Sequence, residues 1–199
     1  MIKTMRNMNR YKSFVVVMIG LLLINCMAIY GTTDDEYFAG NQLKQLSILE
    51  GYPDGTLKLE KPISRSEVAT IMVRVRGYED VEINLEGKNF TDVSGDYWAF
   101  QYIQNAYKLY IIQGYPDNSF KPKNNISYAE VVAIMVNTLG YRELITGDWP
   151  YNYINKAKEL GVIPAESNID PTKIITRGEM ALIVYDTLLV KIDDTSILQ

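Results

Sequence analysis

One stretch of this chain occurs three times, and that repetition limits its fold more than any other feature. Gly51-Tyr52-Pro53-Asp54 returns as Gly114-Tyr115-Pro116-Asp117, an offset of 63. Ile63 and Ile126 keep the same offset, and so do Gly77 and Gly140. A third copy, worn in its loop, runs from Gly161 to Val190 and is set by Ile175-Thr176-Arg177-Gly178-Glu179. Self-similarity at such a period marks a repeat architecture, in which each unit completes its neighbours' core.

Within each copy a turn-rich loop leads into a helix start. Ser64-Arg65-Ser66-Glu67, Ser127-Tyr128-Ala129-Glu130 and Thr176-Arg177-Gly178-Glu179 all have the form of a capping box. In such a box the hydroxyl accepts from the N3 amide, and the N3 glutamate accepts from the cap's own amide. Ile63, Ile126 and Ile175 precede the caps, with Val68, Val131 and Met180 at N4, so each start also carries a hydrophobic staple. The helix bodies, such as Val131 to Val136, leave little polar surface, as expected of central helices. Gly77-Tyr78 and Gly140-Tyr141 supply the C′ stop.

Shorter amphipathic helices open each unit. Leu43 and Leu46 mark the first, within residues 37–50 after a polar, acidic lead-in at Thr32 to Glu36. It reads as about one turn shorter than the others. Trp98, Tyr102, Ile103, Ala106 and Leu109 mark the second, and Tyr153, Ile154, Ala157 and Leu160 the third. The expected fold is therefore all-α: three helix-loop-helix repeats around a central three-helix bundle. The boundaries are 29–79, 80–143 and 144–191, with a tail at 192–199.

Residues 1–28 read as a secretory signal peptide. Lys3, Arg6, Arg10 and Lys12 form a basic start, Phe14 to Ile24 an apolar run, and Cys26-Met27-Ala28 a cleavage site. An uncleaved membrane span and lipidation at Cys26 are the alternatives. Removing this segment leaves 16 basic against 24 acidic residues, with no basic block, which argues against a nucleic-acid partner. The chain has no histidine and one cysteine. Ser-His-Asp and Cys-His catalysis and disulfide pairing are thereby excluded. Carboxylate-only hydrolysis would need two acids facing each other across a cleft, and the sequence singles out no such pair. No enzymatic activity and no cofactor are expected.

Two residue types remain to be explained. Arg65 and Arg177 stand at N1, where a cation opposes the helix dipole. One reading is an anion site built from helix N–H groups and a guanidinium; the simpler one is a loose surface pair with Glu67 or Glu179. Trp98 and Trp149 open two of the units, either as core anchors or as flat faces for sugar rings. Asp54, Asp117 and Asp170 lack the alternating spacing of a calcium loop and read as turn residues, so no metal is expected.

Phe90, Asp92, Val93 and Trp98-Ala99, the two Gly-Tyr-Pro-Asp turns and the Ile-Ser-Arg-Ser-Glu and Ile-Thr-Arg-Gly-Glu starts resemble S-layer homology domains. The resemblance covers nearly all of residues 34–190. It implies a pseudo-threefold unit with three outer prongs. The grooves between the prongs would hold a secondary cell-wall polysaccharide, often bearing a pyruvate ketal, with arginine meeting the ketal carboxylate. It implies a ligand-binding set of Arg65, Trp98, Arg177, Trp149, Ser64, Thr176, Asp54, Gly51 and Gly114. It also implies a secreted protein held at the cell wall, with other envelope proteins as alternative partners. Three departures stand out. Tyr128 replaces the arginine of the second copy, Ala165-Glu166-Ser167-Asn168 replaces the third turn, and the first copy lacks its tryptophan, where Tyr37 or Phe38 would stand in. If a groove joins the arginine of one repeat to the tryptophan of the next, Arg65 pairs with Trp98. Arg177 then closes near Phe38, and Trp149 faces Tyr128.

Overall fold

The computed structural model describes residues 33–190 apart from 82, 84 and 85. The signal segment, Cys26 and the tail at 192–199 lie outside the described residues.

Among the described residues there are six α-helices. They are α1 (Thr33–Gln45), α2 (Arg65–Val75), α3 (Phe100–Lys108), α4 (Tyr128–Thr138), α5 (Tyr151–Glu159) and α6 (Arg177–Leu189). A short 3-10 turn, Arg142–Leu144, follows α4. No extended strand forms among these residues; three isolated antiparallel bridges join Pro62 to Thr176, Ser64 to Asn125 and Ser127 to Ile174.

The cap chemistry explains why α2, α4 and α6 begin where they do. All three capping boxes close, with Ser64, Ser127 and Thr176 accepting from Glu67, Glu130 and Glu179. Gly77 and Gly140 then end α2 and α4 at positive φ. In each case the glycine amide bonds back to C2 and the tyrosine amide after it to C3, a Schellman arrangement.

α1 differs from its sequence expectation. It begins at Thr33, so the acidic stretch is its first turn and not a loop. Asp34, Asp35 and Glu36 there complement the positive end of the helix dipole. With 13 residues against 9 in α3 and in α5, it is the longest of the opening helices, not one turn short.

The three units close into a ring. The Ile63 amide donates to the Ile175 carbonyl, Ile126 to Ile63, and Ile175 to Ile126, each at 3.2 Å. This cycle of three bonds fixes a pseudo-threefold axis at the N-terminal ends of the core helices α2, α4 and α6. Each core helix packs against the opening helix of the next unit: α2 on α3, α4 on α5, and α6 back on α1. The core helices are buried nearly all round, and α4 exposes so little that eight consecutive positions between Ala129 and Val136 are buried or nearly so with only Glu130 partly open. No helix among the described residues is long and apolar enough to cross a membrane.

Candidate functional site

The N1 position of each core helix is where one unit grips the next. The first two amides of an α-helix have no partner inside it. Here they donate to the loop of the following unit. Arg65 and Ser66 bond to the carbonyls of Asn124 and Pro122, Tyr128 and Ala129 to Lys173 and Pro171, and Arg177 and Gly178 to Lys61 and Leu59. The expectation of free helix N–H groups awaiting an anion is therefore corrected: neighbouring carbonyls already satisfy them.

The arginines extend the same grip. Arg177 is 4% exposed. Its Nε donates to Leu57 O, its Nη2 to Glu50 O, and its Nη1 to Glu67 Oε1, each at 2.9 Å. Arg65, also 4% exposed, repeats the pattern on Phe120 O, Gln113 O and Glu130 Oε1. Each guanidinium also lies over a tyrosine ring, Arg65 at 4.7 Å from Tyr115 and Arg177 at 5.1 Å from Tyr52. The loose surface pairing within one repeat is thus overturned as well. The partner is the capping glutamate of the next unit, whose other oxygen accepts the cap amide. A buried guanidinium is tolerated against the helix dipole because two carbonyls and a carboxylate surround it.

A cleft of about 270 Å³ opens beside Arg177. Gly51, Tyr52, Glu67, Arg74, Trp98 and Tyr102 line it along with Leu49, Glu50, Thr70 and Ile71. Three units contribute: the arginine of the third, the loop and core helix of the first, and the indole of the second. Trp98 is 58% exposed, so it is not a core anchor. Within the cleft lining Arg74 is ion-paired with Glu50 at 2.8 Å, and it also pairs with Glu79 at 2.9 Å. The Tyr102 hydroxyl donates to Glu79 at 2.6 Å. Burial opposes the charge on Arg74, but its bonds to Tyr102 and Glu79 outweigh this and raise its pKa. For the Tyr52 hydroxyl burial acts the other way and raises the pKa, helped by the nearby Glu67 carboxylate.

The pairing of Arg65 with Trp98 is corrected by this geometry. An N1 arginine leans on the loop of the next unit, and that loop faces the opening helix one unit further on. Arg177, not Arg65, therefore shares a cleft with Trp98, and Arg177 does not close onto Phe38. The Phe38 ring meets Tyr185 edge-on at 5.6 Å instead. By register, Trp149 takes the place of Trp98 in the second junction, with Arg65, Gly114 and Tyr115. At the third junction Tyr128 fills the arginine position and its hydroxyl meets that of Ser167 at 3.2 Å. Register puts Asp35 at the tryptophan position there, so neither Tyr37 nor Phe38 occupies it.

The S-layer homology domain model matches residues 41–69, 89–132 and 145–181, one segment per structural unit. The chain belongs to the S-layer homology family. Among curated proteins it is similar to a middle cell wall protein of Brevibacillus brevis, 36% identical over 150 residues, covering 75% of this chain and 14% of that protein. It is similar to a cell surface protein of Thermoanaerobacter kivui, 33% identical over 188 residues, covering 88% of this chain and 24% of that protein. A surface layer protein of Brevibacillus choshinensis is 36% identical over 128 residues, covering 64% of this chain and 12% of that protein. The chain thus spans a quarter or less of the length of each of these relatives.

In this S-layer homology unit the remaining candidate residues have structural work. Ser64 and Thr176 are helix caps. Asp54 closes its turn by accepting from the Thr56 amide at 3.0 Å and hydroxyl at 2.7 Å, and it pairs with Lys58 at 2.8 Å. The Lys58 and Thr56 contacts hold its carboxyl far below the ordinary aspartate range. Gly51 lines the cleft, and a Cβ there would come within 3.1 Å of Thr56 O. At Gly114 a Cβ would strike the Phe90 ring at 2.2 Å, so that glycine is a packing requirement. Sequence pattern assigns Glu67, Tyr52 and Tyr102 only cap, turn and helix roles and passes over Arg74, so it places none of the four in a site. The one available signal was the Arg-x-Glu spacing shared by two copies, once a closed ring is assumed.

Proposed function

We propose that this S-layer homology unit attaches non-covalently to the bacterial cell wall. It does so by binding an acidic, pyruvylated secondary wall polysaccharide in its inter-repeat grooves, and it acts at the cell surface without catalysing a reaction. The cleft shared by Arg177 and Trp98 carries this reading. A half-exposed indole offers an apolar face for the C–H side of a pyranose. Beside it, Arg177 has five N–H donors, of which three are engaged by protein, leaving one on each terminal nitrogen. The similarity to cell-wall and surface-layer proteins supports the same reading.

Binding of this kind weakens with salt, because part of it is a screened charge interaction. The test is co-sedimentation of the chain with purified wall, before and after its acidic polymer is stripped. Retention on intact wall and release from stripped wall is expected. Strong retention on stripped wall would overturn the reading in favour of an envelope protein as the partner.

A further inference from the structure

The third junction keeps the ring closed without the chemistry of the first cleft. Register carries Thr70, Arg74, Trp98 and Arg177 of that cleft onto Leu182, Asp186, Asp35 and Tyr128. Both guanidinium groups and the indole are replaced. The seam where α6 packs on α1 has instead an apolar outer face. α6 runs 13 residues, against 11 in α2 and in α4, and Leu189 stands where those helices have already given way to Gly77 and Gly140. Leu182, Tyr185 and Leu189 follow at i, i+3 and i+7, a stripe about 10 Å long. Leu189 is exposed and the other two are half-buried.

Beside the stripe, Tyr37 and Phe38 of α1 are 59% and 55% exposed, and Phe38 meets Tyr185 edge-on at 5.6 Å. The other units do not repeat this: Gln101 and Asn152 take the place of Phe38, and Thr70 and Ala133 that of Leu182. A contiguous exposed apolar surface marks an interaction site. Its rim is acidic. α1 has Asp34, Asp35 and Glu36 against Lys44 alone, and Lys44 lies at the far end of the helix, near the Gly55 carbonyl. On α6 Asp186 sits one turn from both Leu182 and Leu189, Glu179 is held by Lys173, and the helix's one cation, Arg177, is buried in the clasp. By contrast α3 has one lysine and no acid, and α5 two lysines and one glutamate.

We propose that the outer face of the α1–α6 seam docks a protein segment in which apolar residues are interspersed with lysine or arginine. Its apolar side chains cover Phe38, Tyr185 and Leu189, and its cations meet the acidic rim at Asp34, Asp35 and Asp186. Two features decide for this occupant. Leucine offers a sugar ring no face to stack on, whereas it packs well against apolar side chains. The acidic rim steers a basic partner in and repels an acidic one, including an acidic glycan. Sugar binding at the other junctions neither requires this contact nor precludes it.

The 15N-labelled chain is titrated with a synthetic amphipathic peptide of leucine and lysine, and with leucine–glutamate and serine–lysine counterparts of the same length. Backbone amide shifts locate the contact. The leucine–lysine peptide is expected to shift amides of α1 and α6 and to bind about tenfold more tightly than either counterpart. Its affinity should fall with added salt. Phe38→Ser with Leu189→Ser, and separately Asp34→Asn with Asp35→Asn, should each weaken it about tenfold; all four positions are exposed or half-exposed, so circular dichroism should be unchanged. Leu144→Ser, an exposed leucine on another unit, should leave it unaltered. Four results would overturn the proposal: no response to any peptide, equal binding of the serine–lysine peptide, shifts centred away from α1 and α6, or self-association in sedimentation that Phe38→Ser abolishes, which would make a second copy the occupant. Wall retention should survive both double variants, so the loss of this contact and the loss of glycan binding are read separately.

Discussion

Two of the three inter-repeat junctions are closed by a guanidinium and one by a phenol. The backbone part of the grip is the same at all three: N1 and N2 amides donate to carbonyls of the next loop. The side chain at N1 is what varies. Arg65 and Arg177 reach two carbonyls and a capping glutamate, whereas Tyr128 reaches one serine hydroxyl. The capping glutamate of the third junction, Glu179, pairs with Lys173 instead. Ring closure is thus a property of the repeated backbone. The arginine is an addition that also brings a cation to the edge of a groove.

The largest expected effect separates the junctions. Arg65→Ala and Arg177→Ala should each lower the unfolding free energy by about 3 kcal/mol, because removal leaves a partly buried glutamate and two carbonyls unpaired. Tyr128→Phe, which deletes only the hydroxyl contact, should cost about 1 kcal/mol. Urea unfolding of the three variants checks this, and equal losses would break the comparison. Tyr128→Arg should not repair the third junction. It places a second cation beside Lys173, which already holds Glu179, and is expected to destabilise by about 2 kcal/mol. Adding Lys173→Ala should restore much of that loss, since Glu179 is then available. The caps should be indifferent to junction type: Ser64→Ala, Ser127→Ala and Thr176→Ala should each cost about 1 kcal/mol.

The smallest effect is one of pH. Burial raises the Glu36 pKa, with the Glu179 carboxylate adding to it and Lys173 opposing. A raised carboxyl binds more protons folded than unfolded, so its contribution to stability falls as pH rises from the ordinary glutamate range through the raised value. Glu36→Gln should flatten the thermal midpoint over that window and raise it slightly near neutrality. A steeper decline in the variant would show that another group is responsible.

The helix starts were legible in the sequence because their chemistry is local. Ser64 and Glu67 are three residues apart, and the same box recurs in each copy. The all-helical class and the central three-helix bundle followed from the repetition of those starts, whereas the threefold closure was implied by the resemblance to S-layer homology domains. What was not legible depended on distance. Arg177 reaches Glu67 and Leu57 across more than half the chain, and nothing local distinguishes that partner from Glu179. The indole beside Arg177 is two units away, so the clefts could be assigned only once the handedness of the ring was known. α1 was misplaced for another reason: a run of acidic residues resembles a polar loop until the helix dipole it complements is seen.

The most direct test of the clasp is a double-mutant cycle on Arg177 and Glu67, residues of different units joined at 2.9 Å. Urea unfolding of Arg177→Ala, Glu67→Ala and the double variant should give a coupling energy of about 1.5–3 kcal/mol. Additivity within about 0.5 kcal/mol would contradict it and return the arginine to a surface group with no part in closing the ring.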